Sequence, residues 1–271
     1  MMKIARVVTT KKTKVANDNI DERIAMLQGV CGRLTGEVDV LQTPGGYIML
    51  DKDFRGLRLG EESSQEDFLK VTGGAEKILS PKIAKVADAC ALKAGFLTLG
   101  VDVNDDAYYD VGAELVGTYS FEARRFIHWT GKSYPVAYQA NTLLYCMDLK
   151  THLQEIAGYK VIVLGCHDLN MFSPRTRALI NSSSYKGRTV EVFSDLSRKY
   201  RPTVVLQHPH FTDSPRIWTT GWGGVRKYLP TVTTYSSGIH YENMDGDPER
   251  EPRIEKVLAN LKMGTVVDII V

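Results

Sequence analysis

The chain has 271 residues, and 34 basic against 32 acidic side chains leave a formal net charge of +2. That near balance gives no global electrostatic reason to expect nucleic acid or an anionic membrane as partner. The length suits one α/β domain over residues 1–271, and the four cysteines, at 31, 90, 146 and 166, contain no C-x-x-C pair, which excludes a zinc ribbon or a thioredoxin-type motif.

No apolar run is long enough to span a bilayer, and no basic stretch followed by an apolar one marks a secretory signal, so the expected location is cytoplasmic. In chain order, Lys3 to Thr9 reads as a strand. Ile20, Ile24, Leu27, Cys31 and Leu34 then recur at helical spacing behind the capping candidates Asp18 and Asn19. Val38 to Leu41 is the next strand and runs into Thr43-Pro44-Gly45-Gly46-Tyr47, where paired glycines allow close backbone approaches. Arg58 to Gly74 is polar and reads as a surface excursion. Ser80-Pro81 supplies an N-cap and a first-turn proline for a second helix carrying Ile83, Val86, Cys90 and Leu92. Phe96 to Val103 is a buried strand, and Tyr108 to Val111, Glu114 to Thr118 and Arg124 to Thr130 follow as a meander.

The apolar run Val161-Ile162-Val163-Leu164-Gly165 reads as a buried parallel strand that ends on Cys166-His167-Asp168. A helix around Val190 to Tyr200 and a strand from Thr203 to Gln207 complete a βαβ unit, so His208-Pro209-His210 emerges at the same sheet edge as Cys166. Helices over Ile217 to Leu229 and Ile254 to Leu261 and strands over Thr231 to Tyr235 and Thr265 to Val271 finish the chain. The last of these pairs with its own sheet or with a partner subunit.

A thiol at a strand end is a candidate nucleophile, and the histidines beside it are candidate bases or ligands. Cys166, His167, Asp168, His208 and His210 also have the chemistry to bind zinc, but no standard metal-ligand spacing supports that reading. Taken one at a time, the cysteine reads first as a packed core residue and each histidine as a hydrogen-bonded strand-end residue, ahead of catalysis.

With the Pro44 loop and the strand-rich middle, these residues make the sequence similar to the nitrilase or carbon-nitrogen hydrolase superfamily over most of its length. The resemblance implies a four-layer αββα sandwich and a Glu-Lys-Cys triad whose cysteine typically stands before x-Asp-Leu-Arg-Phe-Pro. Here the text is Cys166-His167-Asp168-Leu169-Asn170-Met171-Phe172, and the lysine corresponds to Lys132 in Trp129-Thr130-Gly131-Lys132-Ser133. The glutamate's place after Pro44 is taken by Gly45. His208 is the expected replacement base, ahead of His210 and His167, and an open space is expected beside Gly45. Lys132 would support an oxyanion with the backbone N–H of His167. Asp168 would tie down the elbow, and Trp129, Trp218, Trp222, Tyr134 and Phe211 are candidates to line an aromatic pocket. The implied activity is hydrolysis of a small amide or nitrile through Cys166, without metal or organic cofactor, in a homodimer or higher homo-oligomer. The alternative is a catalytically degenerate relative that serves binding or assembly.

Overall fold

The computed structural model describes residues 1–105, 112–136, 139–242, 250–251 and 253–271. The expected strand over Tyr108 to Val111 lies outside them. The chain order is β1 (Lys3–Thr10), α1 (Ile20–Arg33), β2 (Val38–Gln42), β3 (Ile48–Lys52), α2 (Gln65–Ala84), α3 (Ala87–Ala91), β4 (Ala94–Asp105), β5 (Gly112–Ser120) and β6 (Arg125–Gly131). It continues through β7 (Leu153–Ile156), β8 (Tyr159–Leu164), α4 (Pro174–Leu179), α5 (Tyr185–Tyr200), β9 (Val204–Gln207), α6 (Pro215–Tyr228), β10 (Thr234–Ser237), β11 (Ile239–Tyr241), α7 (Ile254–Asn260), β12 (Lys262–Met263) and β13 (Thr265–Ile270).

These strands build two sheets. One runs β11-β1-β2-β4-β5-β6, with β13 added on β1 and β3 on β4, and the other runs β12-β10-β9-β8-β7. Val40, Val116, Val161, Val163, Val204 and Leu206 fill the space between them. The eight-stranded sheet packs its outer face on α1, α2 and α3 through residues such as Leu27, Val71, Leu79 and Leu97. On the other side, Phe193 of α5, Trp222 and Val225 of α6 and Val257 of α7 cover the five-stranded sheet. The layers are therefore helix, sheet, sheet, helix, as the sequence led us to expect.

Local chemistry explains where most elements begin. Asn19 caps α1 by accepting from the backbone of Glu22, with Asp21 and Glu22 in the first turn and Arg33 in the last. The second helix starts far earlier than the Ser80-Pro81 signal suggests: Ser64 caps it, and Pro81 lies inside it. Phe68, Val71, Ala75, Leu79 and Ile83 form one buried stripe across that proline. Burial of the stripe outweighs a helix-interior proline, which costs about 3 kcal/mol. The expected surface excursion is thus in large part helix. The terminal strand pairs with its own sheet, parallel to β1 from Lys3 opposite Thr265 to Val8 opposite Ile270. Among the described residues no helix is long and apolar enough to cross a membrane.

Two pairings place the site. β8 and β9 are parallel neighbours, with Leu164 opposite Gln207, so Cys166 and the segment after Gln207 leave the sheet side by side. In the other sheet β2 pairs with the first half of β4 and β3 with its second half. The Thr43–Tyr47 loop crosses the gap between them. It passes so close to β4 that a Cβ on Gly100 would lie 2.1 Å from the Pro44 carbonyl oxygen.

Candidate active site

The sulfur of Cys166 sits one residue beyond a glycine that permits a close crossing of the two sheets. A Cβ on Gly165 would stand 3.0 Å from both Lys132 Cα and Asp168 Oδ2. The buried Asp168 carboxylate fastens this crossing, accepting from the backbone N–H of Ser133 at 2.9 Å, Tyr134 at 2.7 Å and Gly165 at 2.9 Å. It is a clasp behind the sulfur, as expected, and it does not line the cavity in front of it. The 3₁₀ turn Asp168–Phe172 carries the chain away beneath α6.

That cavity holds about 460 Å³ and is lined by Cys166, His167, Lys132 and His210 together with Asp102 and Glu114. Lys132 follows β6, is 1% exposed, and donates from Nζ to Glu114 Oε1 at 2.7 Å and to Gln139 Oε1 at 2.6 Å. Gln139 Nε2 closes the triangle on Glu114 Oε1 at 2.7 Å. The second oxygen, Glu114 Oε2, is buried without a hydrogen bond and lies 3.6 Å from His210 Nδ1. On the far side of the same ring, Nε2 donates to the Asp102 carboxylate at 2.8 Å. The backbone N–H of His210 points at Cys166 Sγ, 3.4 Å away. One ligand atom each of Glu114, Cys166 and His210 lies within 4.8 Å of the other two.

This arrangement fixes the ionisation of the site. Burial lowers the pKa of His210, but Asp102, Glu114 and the Cys166 sulfur more than reverse this and hold the imidazolium well above its usual range. Burial pushes the Cys166 thiol up, and His167 and then His210 outweigh it, bringing the thiol down to about 6. Burial also works against the ammonium of Lys132, yet Glu114 keeps it above the ordinary lysine value. At neutral pH the pocket therefore contains a thiolate, an imidazolium and an ammonium beside the Glu114 carboxylate, which stays ionised because its burial is outweighed by His210 and then Lys132.

His208, the base expected from the sequence, is not a cavity residue. Its backbone N–H stays on the β8 ladder, donating to Leu164 at 2.9 Å, and its ring is 1% exposed. Neither ring nitrogen makes a well-formed hydrogen bond, the Thr43 backbone being the polar group nearby, and burial drives its pKa down to about 3. The chain turns at Pro209, and His210 is the residue delivered to the sulfur. Gly45 also differs from expectation. A Cβ there would stand 2.5 Å from the His208 carbonyl oxygen and 3.3 Å from His210 Cε1, so there is no open space for a carboxylate. Gly46, at φ +58°, faces Asp102 and His210 just as closely. Trp129 points into the helix layer instead, where Nε1 donates to Glu76 of α2 at 3.1 Å. The aromatic wall comes from Phe211 and Trp218, with His167 5.7 Å from the Trp218 ring.

Asp102 and Glu114 were not singled out from the sequence. Their signal was present: each is an acidic residue inside an otherwise buried strand, where a carboxylate needs a partner.

No protein-family model matches the sequence, and no curated protein is similar to it. Solved structures do resemble it. The NitFhit protein of C. elegans superposes with a TM-score of 0.53 at 9% identity, covering 93% of this chain and 54% of that one. The chain has the nitrilase fold. A carbon-nitrogen hydrolase from Helicobacter pylori G27 matches with a TM-score of 0.52 at 8% identity, over 97% of this chain and 80% of that one. An amidase from Nesterenkonia sp. gives 0.50 at 12%, over 88% and 76%. A mutant of the Nesterenkonia sp. AN1 amidase carries the acetamide moiety of fluoroacetamide on its active-site cysteine. The chain spans about half the length of NitFhit, and at these identities the likeness is one of fold. Within the nitrilase fold, this chain assembles its polar site from β4, β5 and the loops after β6, β8 and β9.

Proposed function

We propose that this chain hydrolyses a small non-peptide amide through Cys166, with nitriles as the related class. The observation that carries the proposal is the convergence of Glu114, Cys166 and His210 within 4.8 Å, on a cavity that also exposes Lys132. The amidase and carbon-nitrogen hydrolase names of the structural neighbours point to the same bond.

The thiolate of Cys166 attacks the amide carbon. Lys132 Nζ and the backbone N–H of His167 receive the developing oxyanion, and Lys132 is held for this by Glu114 Oε1 and Gln139. The C–N bond then breaks as His210 Nδ1 gives its proton to the departing nitrogen, which leaves as ammonia or an amine. A thioester remains on Cys166. Water, held by the free oxygen Glu114 Oε2, attacks the thioester and passes its proton to His210 Nδ1. The carboxylic acid leaves, and thiolate and imidazolium are restored. A nitrile takes one step more: the thiolate adds to the nitrile carbon as His210 Nδ1 protonates the nitrogen to give a thioimidate, one water adds and ammonia leaves to give the thioester, and a second water hydrolyses that as above. Because the resting sulfur is already ionised, no carboxylate after Pro44 is needed to activate it.

The test is turnover of short primary amides and nitriles, read by ammonia release, with hydroxylamine added to intercept the thioester as a hydroxamate. Ammonia and hydroxamate are expected from the unaltered chain, and neither from Cys166→Ala. No product across both substrate classes, or undiminished product from Cys166→Ala, would refute the assignment.

A further inference from the structure

The donor set around the sulfur has a second chemistry. A thiolate, an imidazole and a carboxylate are the ligands of zinc-class dications rather than of magnesium or calcium, which prefer oxygen alone. Glu114 Oε2 and His210 Nδ1 are 3.6 Å apart, close to the roughly 3.4 Å that ordinary Zn–O and Zn–N lengths give at a tetrahedral angle. The sulfur lies within 4.8 Å of both ligand atoms, so about an ångström of inward movement brings all three onto one ion.

Two details favour a cation over a chance cluster. Glu114 Oε2 is buried and has no hydrogen-bond partner, its ion-pair partner His210 Nδ1 standing 3.6 Å away, so the oxygen keeps lone pairs for a ligand. The Asp102 carboxylate sits on His210 Nε2, which leaves Nδ1 facing Glu114. This is the carboxylate–histidine arrangement that orients and strengthens a metal-bound imidazole.

We infer that Glu114, Cys166 and His210 form a binding site for a zinc-class dication that caps the Cys166 sulfur and competes with substrate for it. Three protein ligands leave a fourth position open towards the cavity. The metal takes up the sulfur electron pair needed for attack, so occupancy makes the thiol unreactive and chelation frees it.

Cobalt(II) titrated into the chelator-treated 271-residue chain tests this directly, since a thiolate ligand gives a charge-transfer absorption band that carboxylate and imidazole do not. The band is expected with one equivalent of cobalt, displaced by zinc and absent in Cys166→Ser. In Asp102→Asn the affinity should fall about 10- to 100-fold. Zinc should also slow alkylation of Cys166 at least tenfold, with recovery on adding EDTA. A chain that gives no band, or a band that persists in Cys166→Ser, would overturn the inference. Amide turnover assayed in EDTA separates this from the hydrolase proposal: turnover without a cobalt band rejects the metal site alone, and a band without turnover rejects the hydrolase alone.

Discussion

The five-stranded sheet delivers Cys166, His167 and His210 from loops beyond its strand ends, whereas the eight-stranded sheet delivers Asp102 and Glu114 from inside β4 and β5 and Lys132 from just after β6. In the proposed reaction the first group supplies the reacting atoms. The second supplies fixed charge, and because its carboxylates stand within a ladder their backbones cannot shift to follow a change in the site. His208 and His210 show the same division at close range. Two residues apart, one is buried among backbone groups and neutral, and the other is clamped between carboxylates and charged. The surroundings, more than position on the strand, decide which histidine takes part in chemistry.

The largest effect should come from removing the proton carrier that joins the two groups. His210→Ala is expected to lower amide turnover by about 10²–10⁴-fold, measured as initial rate of ammonia release. Glu114→Gln keeps the shape but leaves Lys132 without its anionic partner and the water without its acceptor. A loss of about 10²-fold is expected, and rates within a factor of three of the unaltered chain would show that the eight-stranded sheet contributes no charge to the reaction.

Gly45→Ala probes the contact between the Thr43–Tyr47 loop and His208. With 2.5 Å available to the new Cβ, it should destabilise the fold by about 1–3 kcal/mol in a denaturant titration. Unchanged stability would mean that the two loops are not packed as closely as described. His208→Gln gives the smallest effect and the sharpest contrast with His210. Alkylation of Cys166 should keep its rate and pH profile, because the His208 ring does not reach the cavity. The folded-state pKa of His208 is depressed to about 3, so the unfolded chain binds the proton more readily and stability falls as pH drops from the ordinary histidine value near 6.5 towards 3. The slope reaches at most about 1.4 kcal/mol per pH unit. His208→Gln should remove that component of acid sensitivity, as read from urea midpoints at pH 7 and pH 5.

Much of this organisation was legible in the sequence, for reasons the structure makes plain. Val161 to Leu164 and Val204 to Leu206 are apolar because parallel strands between two layers are buried on both faces, and that run announces its own end. Cys166 could be placed from such an end, and Lys132 only through the family resemblance. Side chains partway along a strand carry no such marker: Asp102 and Glu114 look like the polar half of an alternating pattern until the layer facing them is known. Pro81 misled for the converse reason, since a local start signal yielded to a buried stripe that begins at Phe68, several turns before it, and ends at Ile83 just after it. His208 reads ahead of His210 because it directly ends the strand, but the turn at Pro209 removes the alternation by which a side chain is assigned to a face, and it is His210 that lines the cavity.

The central claim is that His167 and His210, the latter kept charged by Asp102 and Glu114 of the other sheet, hold Cys166 as a thiolate at neutral pH. It is tested most directly by the rate of Cys166 alkylation with iodoacetamide across the pH range, following the modified peptide by mass spectrometry. The account expects a single rise with its midpoint near pH 6 and a plateau through neutrality. A rate that stays low at neutral pH and climbs only around the ordinary thiol value of about 8.5 would contradict it.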